Sequence, residues 1–236
     1  ATLVHAGGQI RILSGGEFFN DGALEIQPSG AVPAVVMAGA LLQNGRDPAA
    51  GGATVTLDGR MRVESGRVRN HADWTVRANG SMEVMAQGVL ENRGLFVTDA
   101  GSRIDLSGQL DNAAGGELRL QGLLVTQPGA TLGNSGNLAV GPGSFDPDGL
   151  TFRRDGVDLQ RLGDGALTNH GDFINQGRLA ITGVGDKAST RFYNTGRFVN
   201  AGRVDIGSVY QPSPGHEINI FERFVNVGEV VNTGLF

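Results

Sequence analysis

The sequence predicts an all-β protein: a parallel β-solenoid (β-helix) of about ten coils, each of about 20–25 residues with about three short strands. Three observations predict this fold. An Asn-x-Gly motif, with an apolar residue two places before the Asn, recurs along the whole chain. Short segments of the form apolar-charged-apolar lie between the motifs. Glycine supplies 39 of the 236 residues, which indicates many tight turns.

The Asn-x-Gly motif marks a corner that returns once in each coil. Its asparagines are Asn20, Asn92, Asn134, Asn169, Asn175, Asn194, Asn200, Asn226 and Asn232. Degenerate copies of the motif contain Asn44, Asn70 and Asn112. Successive motifs up to residue 134 are 24, 26, 22, 20 and 22 residues apart. A period that slips in this way favours a right-handed solenoid with constant rungs and variable loops. After residue 165 the motifs come in pairs.

Asparagine and glycine both accept left-handed backbone angles, so we expect the motif to turn a sharp corner. Asparagine side chains at equivalent corners are then expected to form an amide ladder along the axis. The apolar residue before each Asn is predicted to stack inside. It changes from Leu in the middle copies to Phe173, Phe192, Phe198 and Phe224, which predicts a wider or flatter core near the C-terminus.

The alternating segments predict the strands. In 10–12, 24–26 and 104–106 a charged residue stands between two apolar ones. Because side chains alternate across a strand, the apolar pair is expected to face inward and the charge outward. Residues 90–110 read as one coil, with strands at 95–97 and 103–106.

Two interruptions divide this pattern. We predict solenoid coils over 1–140, an inserted loop or junction over 141–165, and coils with paired motifs over 166–236. A second insertion, rich in proline, covers 210–216. Loops that project from a solenoid wall are where specific contacts usually lie.

Composition excludes several functions. The net charge is −5 and the basic residues are scattered, so we predict no nucleic-acid partner. The absence of cysteine excludes disulfides and thiolate metal sites. No stretch has the length of a transmembrane helix. The chain begins at Ala1 without a Met, consistent with a removed signal peptide or with a boundary cut in a longer chain. We expect a secreted or cell-surface location.

The pattern apolar-x-Asn-x-Gly-x-apolar-x-Asn-x-Gly, followed by apolar-x-apolar, resembles the repeats of large secreted bacterial β-helix proteins. These include filamentous-haemagglutinin-type exoproteins and autotransporter passengers. The resemblance covers most of the chain. It implies a parallel β-helix displayed outside a bacterial cell, working in adhesion or surface architecture.

Polysaccharide lyase or hydrolase chemistry on a β-helix needs a carboxylate cluster, or an arginine or lysine base, on one face of adjacent coils. The outward charges are Glu25, Glu83, Asp105 and Asp205, with Arg11, Arg62 and Arg119. Their mixed signs favour surface ion pairs. Asp146, Asp148, Asp155 and Asp158 supply the clustered oxygen ligands that calcium needs, but the Glu that ends an EF-hand loop is lacking. We therefore predict no catalytic, cofactor-binding or metal-binding residue, and no cofactor.

The remaining candidates are weaker. The histidines His5, His71, His170 and His216 match no metal or triad spacing, and we predict surface positions for them. One Trp and two Tyr are too few for an extended aromatic platform.

The repeat runs close to both ends without a polar or helical cap, which a β-solenoid normally needs. The candidate self-association residues are Ile10, Ile12, Phe224, Val230, Leu235 and Phe236. The leading hypothesis is a non-enzymatic extracellular structural protein that associates head to tail with itself into a filament or a surface or biofilm matrix layer. One alternative is an adhesin or passenger segment whose wall loops bind a cell-surface, matrix or host polysaccharide. Another is a β-helix lyase or hydrolase. A fragment of a longer solenoid would also explain the missing caps.

Overall fold

A computed structural model describes residues 2–30, 33–46, 52–141, 144–145, 152–153, 166–181, 191–206 and 223–236. These residues form strands and turns and contain no helix. In chain order the strands are β1 (Thr2–His5), β2 (Ile10–Ile12), β3 (Glu17–Asn20), β4 (Ala23–Ile26), β5 (Val35–Asn44), β6 (Thr54–Leu57), β7 (Arg60–Asn70), β8 (Asp73–Val76), β9 (Ser81–Asn92), β10 (Leu95–Thr98), β11 (Arg103–Leu106), β12 (Gln109–Asn112), β13 (Glu117–Leu120), β14 (Leu123–Thr126), β15 (Thr131–Asn134), β16 (Asn137–Val140), β17 (Ser144–Phe145), β18 (Phe152–Arg153), β19 (Ala166–Asn169), β20 (Asp172–Asn175), β21 (Arg178–Ile181), β22 (Arg191–Asn194), β23 (Arg197–Asn200), β24 (Arg203–Ile206), β25 (Arg223–Asn226) and β26 (Glu229–Asn232).

The strands stack in parallel into three faces. Face 1 contains β2, the first halves of β5, β7 and β9, and then β11, β14, β19, β22 and β25. Face 2 contains β3, the second halves of the same three strands, and then β12, β15, β20, β23 and β26. Face 3 contains β1, β4, β6, β8, β10, β13, β16, β21 and β24.

The predicted parallel β-solenoid is confirmed. Face 3 holds nine strands, so the described stack is slightly shorter than the predicted ten coils. The coil predicted over 90–110 contains β10, β11 and β12 in the expected order. The right-handed sense of the solenoid and the division of the chain at 141–165 stay predictions.

The core is a narrow apolar column between the three faces. Four-residue strands alternate between half-buried and buried positions, as the period of two predicts. On face 2 one apolar residue per coil stacks on the next, so that Leu110 lies between Leu90 and Leu132. Trp74 and Phe96 stack in the same way on face 3, with ring centroids 5.9 Å apart.

The corner between faces 1 and 2 changes along the molecule. In the early coils β5, β7 and β9 each run through both faces, and register shifts bend the strands between Met37 and Ala40 and between Val63 and Ser65. From β11 onward the two faces are separate strands. In the later coils β19 and β20, β22 and β23, and β25 and β26 are joined by the first motif of each pair.

The connections from face 3 to face 1 lengthen towards the C-terminus. Residues 121–122 alone join β13 to β14, whereas residues 141–165, 182–190 and 207–222 join the later pairs. Strands β17 and β18, which pair antiparallel, fall in the first of these long connections. The predicted insertion at 210–216 lies outside the described residues.

Candidate functional site

Nine asparagines form one continuous amide ladder at the corner between faces 2 and 3. They are Asn20, Asn44, Asn70, Asn92, Asn112, Asn134, Asn175, Asn200 and Asn232. The Nδ2 of every member except Asn232 donates to the Oδ1 of the next asparagine, at 2.7–2.9 Å. The same nitrogen also reaches a carbonyl of the next coil, as Asn92 does to Glu117 at 3.0 Å. The ladder therefore fastens each coil to its neighbour.

A second, shorter ladder follows the corner between faces 1 and 2. Thr126 Oγ1 donates to Asn169 Oδ1 at 2.6 Å, and Asn169 and Asn194 continue the series towards Asn226. The preceding coil carries Leu106 at this position. The paired motifs of the C-terminal coils thus belong to two different ladders, with one member of each pair in each.

Three ladder residues escaped the sequence-based prediction of the ladder. Asn44, Asn70 and Asn112 are fully buried members of the first ladder, although their motifs are degenerate. Their spacing of 20–26 residues from neighbouring motifs, which already marks them as motif copies, was also the signal for their place in the ladder. The spacer and the glycine after the Asn vary more than the amide itself.

The explanation of the motif glycines by left-handed angles was wrong. Every described residue with positive φ is a glycine, and none of these belongs to a complete Asn-x-Gly motif. Close backbone approach explains the motif glycines instead: a Cβ on Gly136 would lie 2.2 Å from the carbonyl oxygen of Gly116. A Cβ on Gly177 would lie 2.1 Å from the carbonyl oxygen of Gly136. Stacked coils leave no room there for a side chain.

The first ladder has a direction, and its two ends are chemically different. Asn232 is exposed and its Nδ2 donates within its own turn, to the Gly234 carbonyl at 3.2 Å. At the other end the Oδ1 of Asn20 accepts from the Gly22 amide at 3.3 Å, and no asparagine among the described residues donates to it. The last coil therefore presents an amide donor, whereas the first coil presents an acceptor.

Exposed apolar side chains concentrate in the two outermost coils. In the described residues, Met85 and Tyr193 are the large exposed apolar side chains outside those coils. The members at the N-terminal end are Leu3, Val4, Leu13 and Phe19, and those at the C-terminal end are Ile206, Val225, Val227, Leu235 and Phe236. Among the predicted self-association residues, Phe236 and Leu235 are more than half exposed, and Ile10, Phe224 and Val230 are half-buried. Ile12 is buried at 9% exposure.

The outward acids predicted for the wall mostly form ion pairs with arginine. Glu83 accepts from Arg62 at 2.8 Å and from Arg60 at 3.1 Å. Burial raises the pKa of Glu83, but the hydrogen bonds from these arginines outweigh it and hold the pKa below its ordinary value. Asp105 and Asp205 are paired with arginines in the same manner, and Glu25 accepts from Gln27.

A buried charge cluster on face 2 was not predicted. Glu91 is 7% exposed and accepts from Arg69 and Arg93. Burial raises its pKa, but the two arginine hydrogen bonds lower it by more, so the pKa lies below its ordinary value. In the next coil, burial and the charge of Glu91 raise the pKa of Asp111. The arrangement is an ion-pair network that holds adjacent coils together.

The structure changes the assignment of one histidine. The prediction of a surface position was wrong for the ring nitrogens of His71, which are covered and have no hydrogen-bond partner among the described residues. Burial, followed by the charges of Arg69 and Arg93, lowers the pKa of His71. Within the described ranges, no group of three or more His, Cys, Asp or Glu is placed to hold a metal ion. The four aspartates of the candidate calcium site (Asp146, Asp148, Asp155 and Asp158) and His216 lie outside these ranges.

Fold and site together define a parallel β-solenoid whose coils are joined by buried asparagine ladders. The sequence model of the BigA fourth domain matches residues 73–234, which is more than half of the chain. The chain therefore belongs to the BigA fourth domain family, a family of bacterial surface adhesin-like proteins. The described residues contain no helix that is long and apolar enough to span a membrane.

Other comparisons add little. No curated protein matches the chain. A crystal structure of a TibC-catalysed, hyper-glycosylated TibA fragment (residues 55–350) is 13% identical and is matched over 94% of this chain and 90% of that one, with a TM-score of 0.18. A TM-score this low carries no structural or functional argument.

Proposed function

We propose that this chain is a non-enzymatic structural segment of a bacterial surface adhesin-type protein, and that its outermost coils pair head to tail with a second copy. The product is a filament or surface layer in which the solenoid continues from one copy to the next. The observation that carries this proposal is the direction of the first asparagine ladder. A donor at one end and an acceptor at the other favour head-to-tail pairing over head-to-head or tail-to-tail pairing.

The ladder ends fit one another in position as well as in chemistry. Asn20 and Asn232 belong to the same stack, at the same corner of the coil. A second copy placed one coil spacing beyond Asn232 would bring its Asn20 Oδ1 to the Asn232 Nδ2. The bond would repeat the geometry that eight inner pairs already have, at 2.7–2.9 Å.

The backbone and the core support the same pairing. Strands β25 and β26 each pair with one strand, as do β2 and β3 at the other end. The C-terminal coil ends on aromatic rings, with Phe224 and Phe236 5.6 Å apart. The N-terminal coil has a small apolar cavity of about 10 Å³ beside Ile10, Ile12 and Phe18. Stacking would cover both apolar surfaces and pair both strand edges.

A non-enzymatic role is supported by the condition of the wall acids. Three of the four predicted outward acids, Glu83, Asp105 and Asp205, are paired with arginines. The fourth, Glu25, accepts a hydrogen bond from Gln27. Turnover of acidic polysaccharides by the purified chain, measured as new unsaturated or reducing ends, would overturn this part of the proposal.

Sedimentation velocity over a wide concentration range tests the pairing. The unchanged chain is expected to form larger species as concentration rises. Deletion of Val230–Phe236, which removes the donor and the aromatic end, is expected to abolish them. Asn232→Asp replaces the donor with an acceptor and is expected to weaken association strongly without shortening the chain.

Matched controls separate pairing from folding. Asn226→Asp makes the same change at the end of the second ladder, where the N-terminal coil offers no asparagine on face 1. It is therefore expected to weaken association less than Asn232→Asp. Concentration-independent monomers of the unchanged chain, or full association after the deletion, would contradict the proposal.

A further inference from the structure

Glycine directly follows asparagine at two places in the chain, Asn44-Gly45 and Asn79-Gly80. This dipeptide readily loses the asparagine amide, because a glycine main-chain nitrogen has no neighbouring Cβ to hinder its approach to the asparagine side chain. The two copies lie in opposite environments. Asn44 is fully buried in the first ladder, whereas Asn79 is exposed in the turn between β8 and β9.

The ladder holds the Asn44 amide from both sides. Its Oδ1 accepts from Asn20 at 2.8 Å, and its Nδ2 donates to Asn70 at 2.9 Å. The Gly45 amide donates to the Asn20 carbonyl at 2.8 Å. Neither reacting group can reorient unless adjacent coils separate, so the fold protects this copy.

The Asn79 amide has fewer restraints. Its Nδ2 donates to Asp58 Oδ1 at 3.3 Å, which is a long hydrogen bond at the surface between adjacent coils. The Gly80 amide donates to the Arg77 carbonyl at 2.7 Å, within the same turn. Because Arg77, Ala78 and Asn79 are all exposed, this turn can open without unstacking a coil. Opening brings the Gly80 nitrogen within reach of the Asn79 side chain.

The packing of the coils requires the glycine of this reactive pair. A Cβ on Gly80 would lie 2.2 Å from the carbonyl oxygen of Leu57, in the coil before. Backbone atoms cannot yield at that distance, so another residue at position 80 would push the coils apart. The reactive dipeptide at this exposed turn is therefore tied to the close stacking of the solenoid.

We infer that Asn79 is a site of spontaneous deamidation in the folded protein, with water as the co-reactant. The Gly80 main-chain nitrogen attacks Asn79 Cγ, and the new N–Cγ bond closes a succinimide ring. The Cγ–Nδ2 bond breaks, and the amide nitrogen leaves as ammonia with the proton from the Gly80 nitrogen. Water then opens the ring at one of its two carbonyl carbons. Opening at Cγ gives aspartate, and opening at the main-chain carbon gives isoaspartate.

Deamidation changes a contact between two coils. The donor that Asn79 offers to Asp58 is replaced by a carboxylate, so a hydrogen bond becomes a repulsion between like charges. The neighbouring groove has a volume of about 390 Å³, and its charged lining residues are Glu25, Asp58, Arg77 and Asp99. This turn therefore becomes more acidic as the protein ages. The inference is independent of head-to-tail pairing, because it depends on an interior coil and not on the coil ends.

Incubation of the folded chain at mildly alkaline pH, followed by tryptic digestion and mass spectrometry, tests the site. Peptide 78–93, which contains Asn79, is expected to gain the mass that separates a carboxylic acid from an amide, and to appear in aspartate and isoaspartate forms. Peptide 12–46, which contains Asn44, is expected to change about tenfold more slowly or less. In concentrated urea, where the ladder is lost, both peptides are expected to change.

Asn79→Gln is the matched control, because the longer side chain keeps the amide but disfavours ring closure. It is expected to remove the acidic form that ion-exchange chromatography detects in the aged chain. Asn79→Asp gives the charged product directly and is expected to elute with the aspartate form. Retention of the Asn79 amide in the folded chain, equal losses at Asn44 and Asn79 in the folded chain, or retention of the Asn44 amide in urea would overturn the inference. Sedimentation of Asn79→Gln is expected to match that of the unchanged chain, so this site and the pairing proposal fail separately.

Discussion

The coils before residue 141 and those after residue 165 obey one repeat but differ in core, corner and wall. The earlier core is mainly aliphatic, whereas Phe173, Phe192 and Phe198 fill the later core. The earlier corner between faces 1 and 2 is bent strand or plain turn, whereas the later one carries the second ladder. One asparagine corner per coil is therefore sufficient for stacking, and the second ladder belongs to coils that pack aromatic rings.

The outward-facing surfaces of the two regions also differ. Coils near Glu83 and Glu91 are joined by ion pairs on the outside. Coils near Tyr193 replace those ion pairs with an uncharged column. This change is confined to face 1, because faces 2 and 3 of the later coils keep ion pairs between adjacent coils at Arg197–Glu229 and Arg178–Asp205.

Loss of an aromatic ring gives the largest expected difference between the two regions. Phe198 lies 4.9 Å from Phe173 and 5.1 Å from Phe192, measured between ring centroids. Phe198→Ala is expected to lower the free energy of unfolding by about 4 kcal/mol, and Leu110→Ala in the earlier core by about 3 kcal/mol. Urea unfolding followed by circular dichroism measures both. Equal or reversed losses in the free energy of unfolding would show that an aromatic ring in the later core contributes no more to stability than a leucine in the earlier core.

A methyl group on a motif glycine tests the close-approach explanation. Gly136→Ala would place Cβ 2.2 Å from the Gly116 carbonyl oxygen, and is expected to cost about 3 kcal/mol or more. Gly115 has a φ of 85° but open space around its Cβ position, so Gly115→Ala is expected to cost about 1 kcal/mol. Thermal and urea unfolding would show the difference. A larger loss at Gly115 would restore left-handed angles as the reason for glycine.

The stability cost of replacing a ladder asparagine by alanine is expected to differ between the interior and the end of the ladder. Asn112 is fully buried, accepts from Asn92 and donates to Asn134. Asn112→Ala leaves those partners unsatisfied and is expected to cost about 2–3 kcal/mol. Asn232→Ala, at the exposed end, is expected to cost less than about 1 kcal/mol when measured on dilute monomer. Similar values at both positions would mean that the ladder does not act through burial.

The smallest expected effects come from the wall charges and depend on pH. Because the pKa of Glu91 is lowered by folding, its contribution is present above its ordinary pKa of 4.5 and is lost as pH falls through the lower folded value. Glu91→Gln is therefore expected to cost about 1.5 kcal/mol at pH 7 and little in acid. Urea unfolding at several pH values measures this. A loss that did not depend on pH would remove the ion pairs as its cause.

Asp111 is expected to behave in the opposite way. Folding raises its pKa, so its charge opposes folding once pH rises through the folded value. Asp111→Asn is expected to stabilise the protein by a few tenths of a kcal/mol at pH 7. The gain is expected to vanish below the ordinary pKa of 3.8. Thermal unfolding at both pH values would detect it, and destabilisation at pH 7 would contradict the assigned charge repulsion.

Much of the fold could be predicted from local sequence, because each coil repeats the same short sequence pattern. The alternation at 104–106 and the motif at Asn92 were enough to place β11 and the end of β9. What local sequence could not provide was contact between coils. The split into two ladders depends on which strands stack, and the need for Gly136 depends on the carbonyl of the coil before it.

The candidate site and the outward wall were less predictable for the same reason. Tyr193 stands in a motif copy like any other, and its neighbours Thr168 and Val225 are 25 and 32 residues away in sequence. The buried cluster at Glu91 likewise joins residues from successive coils. Only the register of the stack brings these side chains together.

Cryo-electron microscopy of the purified chain at rising concentration tests the central claim most directly. Head-to-tail pairing predicts rods that lengthen with concentration and keep a coil spacing of about 4.8 Å through every junction between copies. The asparagine density is expected to continue from Asn232 of one copy to Asn20 of the next. Rods that stay one molecule long, or that associate through their walls, would contradict the claim.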